Sequence, residues 1–188
     1  APGRYTFTVE RGKEYFPDTR EIVVGSEPLR LEFHLRRWID LAKLGWYSGD
    51  THVHRSLDEL PNLLLAEDLN VAFQLSYWVT KGFTAPSRGD KNLGGAIESA
   101  PVRVDATHVF YPRNTEYEIF TVDGKRHELG AVFLLNHSSV LKAGAPPVRG
   151  IAERVHAEGG LIELDKHAWP WSMALVPVMK VDLYELSN

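Results

Sequence analysis

The residues whose types and spacing could do chemistry are concentrated at Asp50-Thr51-His52-Val53-His54. Residues two apart on an extended strand leave the same face, roughly 6–7 Å from one another. His52 and His54 would therefore aim both imidazoles at one point. Two converging neutral imidazoles supply half of a site for zinc, manganese or iron. Asp50 falls on the same face by the same alternation, where it could ligate or fix a histidine tautomer from behind. A His-x-His pair on an exposed strand is often inert, so position matters: this one follows Gly45-Trp46 and Gly49, where a new structural unit would begin. The chain has no cysteine, which excludes disulfides, thiolate nucleophiles and Cys-ligated zinc. Any metal must be held by carboxylates and by some of the eight histidines.

The elements that must position these groups can be read from periodicity. Residues 1–37 read as β: Tyr5, Phe7 and Val9 alternate with polar neighbours, Glu21–Val24 gives a second strand, and Leu29, Leu31, Phe33 and Leu35 alternate as a third. From Gly45 the rhythm changes. Asp50–His54 is strand-like, Leu60, Leu63, Leu64 and Leu69 recur at helical spacing, and Val71–Val79 reads as one buried strand. Residues 81–107, with Gly82, Pro86, Gly89, Gly94, Gly95 and Pro101, read as a long loop. Strands follow at Tyr117–Val122 and Ala131–Leu135. A helix at Val148–Ala157 is stopped by Gly159-Gly160, and strands at Leu161–Leu164 and Val181–Leu186 close the chain. Alternation of this kind predicts parallel βαβ units.

Gly45-Trp46-Tyr47-Ser48-Gly49-Asp50-Thr51-His52-Val53-His54 resembles the opening motif of the PHP (polymerase and histidinol phosphatase) superfamily, and more narrowly its CehA/McbA, carbaryl-hydrolase-like branch. The likeness runs on through Leu65–Val71, Gly159–His167 and Val181–Asn188, so it covers most of the chain after Gly45. It implies an α/β fold, a PHP-like distorted β/α barrel incomplete at its C-terminus, over residues 45–188. A short β-sandwich-type segment would precede it over residues 1–44. It implies that His52 and His54 are the first metal pair and that Asp58 lies near the carboxylate following them, one or two residues short in spacing. Glu116 would bridge metals at a strand start, and His167 would end a later strand. Either His127 or His137 would supply the histidine between, with His137 preferred because it follows the apolar strand. Acid–base work falls to Glu116 and Asp50. Two departures reduce the site: Leu75-Ser76-Tyr77-Trp78 stands where a Thr-Asp-His-type tripeptide is usual, and no final Asp-x-His follows. His52, His54, His167 and Glu116 remain enough for one catalytic ion.

Other candidates are open to two readings. Glu118, Asp165 and Glu185 are strand-terminal carboxylates that could ligate, support a ligand or face solvent. His34, His108 and His156 read as structural or exposed, and the tryptophans read mainly as core. Ser138-Ser139 lacks the Gly-x-Ser-x-Gly elbow of an acyl-transfer nucleophile. A net charge of −4 without a basic run argues against nucleic acid. No apolar stretch is long enough to span a bilayer, no secretory leader is evident, and compartment stays open. The function implied is a metal-dependent hydrolase, with zinc favoured and manganese or iron allowed, acting on a small-molecule ester, carbamate or phosphoester. The alternatives are a scaffold that binds metal without turnover, or a glycan- or surface-binding module in residues 1–37. A barrel this short would be open, or completed by a second copy in a homo-oligomer.

Overall fold

The computed structural model describes residues 1–88 and 97–186, with side chains throughout except at 120 and 126–129. Gly89, Gly94 and Gly95 of the predicted loop lie outside these residues, as do Ser187 and Asn188 of the closing motif and the side chain of His127.

Strands β1 (Gly3–Val9) and β2 (Asp18–Val24) form an antiparallel pair in which Tyr5 faces Ile22 and Thr8 faces Thr19. The third strand predicted over Leu29–Leu35 does not form. Leu29 (51%) and Leu31 (37%) are exposed, and side chains hold the segment instead of a ladder. Arg20 donates to the Glu32 carbonyl at 2.9 Å and stacks over the Phe33 ring at 4.4 Å. Asp68 ties this region to the rest of the chain: Arg11 reaches its Oδ1 at 3.2 Å and Arg37 its Oδ2 at 2.5 Å.

Asp68 also ends helix α1 (Leu60–Glu67), taking the left-handed conformation (φ 52°) while its N–H donates to the Leu64 carbonyl. Leu60 and Leu64, one helical turn apart, bury against Val53, Leu57, Ala72 and Phe110. These belong to or adjoin a four-stranded sheet ordered β3 (Gly49–Val53), β4 (Val71–Gln74), β8 (Val109–Tyr111), β7 (Val102–Arg103). The first three of these run parallel.

The predicted single strand Val71–Val79 is two strands in two sheets. The chain leaves β4, crosses at Leu75-Ser76, and enters β5 (Tyr77–Lys81). Ser76 is fully buried at the crossing, with its hydroxyl 2.5 Å from the Pro112 carbonyl and 2.6 Å from Gln74 Oε1. Asn114 donates to the Gln74 and Tyr111 carbonyls, both at 2.7 Å, and clamps the same corner.

The second sheet has the order β12 (Leu183–Tyr184), β11 (Leu161–Asp165), β10 (Lys125–Leu135), β9 (Thr115–Val122), β5, β6 (Ser87–Arg88). Helices α2 (Arg149–Ala157) and α3 (Ser172–Met179) contribute Ile151, Ala152, Val155, Leu175 and Met179 to the core on one of its faces. Tyr117, Ile119, Val132, Leu134, Ile162 and Leu164 meet them there.

This architecture overturns the β/α barrel. The fold is β-rich, with mixed sheets and only three short α-helices among the described residues, and its central strands β9, β10 and β11 are antiparallel. For β9 and β10 the reason lies in two residues. Val122 pairs with Lys125 across Asp123-Gly124, both at positive φ (50° and 74°), a two-residue hairpin turn that returns the chain antiparallel. A parallel neighbour would need a crossover connection, usually a helix. The barrel that a second copy would complete is therefore absent.

Asp68→Ala should loosen the N-terminal segment, because Arg37 and Arg11 lose a buried carboxylate together. We expect a loss of about 2 kcal/mol in chemical denaturation and faster proteolysis in residues 1–44. Unchanged stability and cleavage would show that this joint contributes nothing.

Candidate metal centre

Strand alternation builds the site. If Tyr117, Ile119, Ile162 and Leu164 face the helices, then Glu116, Glu118, Glu163 and Asp165 must face the other side. Register then sets them in rows. Glu116 pairs with Phe133 and Phe133 with Glu163, while Glu118 pairs with Ala131 and Ala131 with Asp165. Two carboxylate pairs thus flank β10, whose small Ala131 leaves space between them and whose Phe133 forms a floor. All four carboxylate residues are buried. Glu185 follows β12, held by its N–H to the Leu164 carbonyl at 3.1 Å.

The end of β3 lies against this face. His52 packs edge-on to the Phe133 ring, with centroids 4.5 Å apart, and the His52 and His54 rings lie 5.1 Å apart. His54 Nε2 is 3.2 Å from Glu116 Oε2, and His52 Nδ1 is 3.3 Å from Glu185 Oε1. Two ligand groups result, His52–His54–Glu116 and His52–Asp165–Glu185, each with its donor atoms within 4.8 Å of one another. Tetrahedral ligands at zinc stand about 3.3 Å apart, so the first group fits a divalent ion after small side-chain adjustment. Two imidazoles with a buried carboxylate are a suitable donor set for one.

Electrostatics explain how so much acid is buried together. Lys166 Nζ lies 2.6 Å from Asp165 Oδ2, 2.7 Å from Glu118 Oε1 and 3.5 Å from Glu116 Oε1. Burial would lower its pKa, but hydrogen bonds to Asp165 and Glu118 outweigh this and hold the ammonium above the ordinary lysine value. Burial also works against an ionised Asp165, yet hydrogen bonds from Glu185 and Lys166 keep it below the usual carboxylate range. Glu185 moves the other way. Burial and the adjacent Asp165 push it up to about 8, so the two carboxyls share one proton at neutral pH. Burial lowers His52, favouring the neutral imidazole that a metal requires.

His52, His54 and Glu116 are brought together; the other candidates are not. Asp50 is exposed and belongs to neither group. Between the Asp50–Ala72 and Val53–Gln74 pairs, β3 carries one residue more than β4, a bulge that breaks the alternation joining Asp50 to His52. The Asp50 carboxylate instead accepts the His52 N–H at 2.8 Å. Asp58 is exposed and outside both groups. His137 is fully buried with both ring nitrogens engaged, Nδ1 at 2.7 Å from the Ser139 carbonyl and Nε2 at 2.8 Å from Thr115 Oγ1. It braces a turn and offers no ligand atom. His167 lies beside Tyr184 (ring centroids 5.3 Å apart), also outside the groups, and its buried Nδ1 has no hydrogen-bond partner among the described residues. Left-handed Lys166 (φ 49°) turns the chain so that the lysine, one residue earlier, enters the cluster.

Several residues of the site carried no firm sequence signal. Asp165 and Glu185 were ambiguous carboxylates, and Lys166 had no role. The usable signal was the pairing of Glu116 with Glu118 and of Glu163 with Asp165 around apolar residues, which marks a buried acidic face rather than a solvated one. Trp78 supports it, donating Nε1–H to Glu118 Oε2 at 3.2 Å, whereas Trp46 and Trp171 are exposed rather than core. No family model matches the chain, and no curated protein or solved structure matches it.

Two outcomes follow from this geometry. The unfolded chain releases the Glu185 proton near the ordinary value of 4.5, whereas the folded protein retains it to about 8. That contribution to stability is complete below pH 4.5 and lost as pH rises through 8. Denaturation midpoints of metal-free protein should therefore fall across this window; a rise would contradict the shared proton. His137→Gln should lower stability by about 1–2 kcal/mol while metal retention stays unchanged, as measured by elemental analysis. Loss of metal with the fold intact would return His137 to the ligand set.

Proposed function

We propose that the protein is a metal-dependent hydrolase of a small-molecule ester, carbamate or phosphoester, with zinc as the favoured ion and manganese or iron as substitutes. The observation that carries this reading is the convergence of His52, His54 and Glu116 beside a second group that shares His52. The Gly45–His54 motif that carries this histidine pair resembles the opening motif of PHP hydrolases. A bound divalent ion would lower the pKa of a coordinated water towards neutrality and polarise the scissile oxygen.

The chain's own residues prepare that chemistry. Phe133 and the bulged end of β3 hold His52 in place, and burial keeps its imidazole neutral. Glu116 presents Oε2 on the side of His54 while Oε1 faces Lys166. Glu185 must give up its shared proton before a single ion could use it with His52 and Asp165 in place of the first group, so that alternative strengthens with pH. A second reading, metal binding without turnover, is favoured by the Leu75–Trp78 segment. There Leu75 and Ser76 are buried in the crossing between sheets and supply no ligand.

Purified protein should carry stoichiometric metal by elemental analysis, and His54→Ala or Glu116→Gln should lose it. Chelation should abolish hydrolysis of a panel of 4-nitrophenyl esters, aryl carbamates and phosphodiesters, and zinc should restore it. A protein that binds no metal and hydrolyses nothing defeats the proposal. A loaded, folded protein that hydrolyses nothing establishes the second reading.

A further inference from the structure

Resting on the metal-binding reading above, we infer that the Lys166 ammonium is a built-in second cation, standing where a neighbouring metal ion would otherwise lie and limiting the centre to one ion. An ammonium has three donors and no acceptor, and Nζ meets three carboxylates, those of Asp165, Glu118 and Glu116, at 2.6, 2.7 and 3.5 Å. Glu116 divides its oxygens: Oε2 lies against His54 of the ligand group and Oε1 against Lys166. An ion held by His52, His54 and Glu116 would therefore share Glu116 with the ammonium.

Asp165 repeats the pattern. It contacts Nζ through Oδ2 and also belongs to the group with His52 and Glu185. Lys166 reaches this position from a left-handed backbone (φ 49°). A further buried carboxyl lies on the same face: Glu163, two residues from Asp165 and only 5% exposed, has a buried Oε2 without a hydrogen-bond partner among the described residues. Lys166 is a positioning residue in this arrangement: it fixes Glu116 for the ion and cannot itself act as a Lewis acid.

The test counts ions. Full-length wild type, Lys166→Ala and Lys166→Met are stripped with chelator, loaded with Mn2+, gel-filtered and analysed by elemental analysis and electron paramagnetic resonance. Wild type should hold about one Mn2+ per chain with an uncoupled spectrum. The lysine variants should hold about two, give a spin-coupled spectrum, and show a larger rise in Tm on loading. If the alanine variant does not fold without metal, Lys166→Met keeps the aliphatic stem, and either variant can be refolded in Mn2+ before counting. One ion per folded chain in every variant, or two in wild type, overturns the inference while leaving the metal centre standing. No ion in any of them is the separate result that defeats the metal centre itself.

Discussion

Like charges cannot be buried side by side unless something of opposite sign is buried with them. Glu116, Glu118, Glu163 and Asp165 lie together on one face of a sheet whose other face is packed by helices. Alternation leaves them no choice of side, because Tyr117, Ile119, Ile162 and Leu164 claim the core. The Lys166 ammonium, the proton shared by Asp165 and Glu185, and the imidazoles brought by β3 all answer that one constraint. The candidate centre is thus the balancing part of the fold rather than an ornament on its surface.

The connections follow the same logic. To bring His52 and His54 against β9–β11, the chain must pass from one sheet to the other, and it does so within two residues at Leu75-Ser76. A buried backbone turn needs its polar groups satisfied, which explains why Ser76, Gln74 and Asn114 are buried with hydrogen bonds to one another and to nearby carbonyls. Farther out, Ser48 bonds to both the Asp68 carbonyl and Asn70 Oδ1 immediately before β3. The Asp68 joint to Arg11 and Arg37 therefore bears on the strand that carries the histidines.

Much of this was legible in the sequence, and the misses have physical causes. The Leu60–Leu64 helix, the stop at Gly159 (φ 78°) and the strands around Tyr117, Ala131 and Leu161 follow local periodicity, which a sequence displays directly. The direction of pairing does not show in periodicity. Strand–helix alternation did foretell the parallel units β3–α1–β4 and β11–α3–β12, whereas the barrel came from the family resemblance, and the Asp123-Gly124 hairpin between β9 and β10 was not read. The continuous apolar run from Val71 concealed a change of sheet. At the site, residues joined by short-range alternation were found, whereas Asp50 was misplaced by a bulge, which leaves no mark on composition. Lys166 was missed because lysine in a strand-end segment reads as surface, and only tertiary packing shows three carboxylates around it.

The two-residue turn at Asp123-Gly124 also bears on the order in which the molecule assembles. A hairpin closed over so short a loop forms on a microsecond timescale, so β9 and β10 can bring Glu116, Phe133 and Ala131 together early. The histidines of β3 reach that surface only through contacts distant in sequence, whose loop-closure entropy must be met before they form. The acidic floor would then exist before its imidazole cover, and a metal ion captured by both would record completed folding rather than nucleate it.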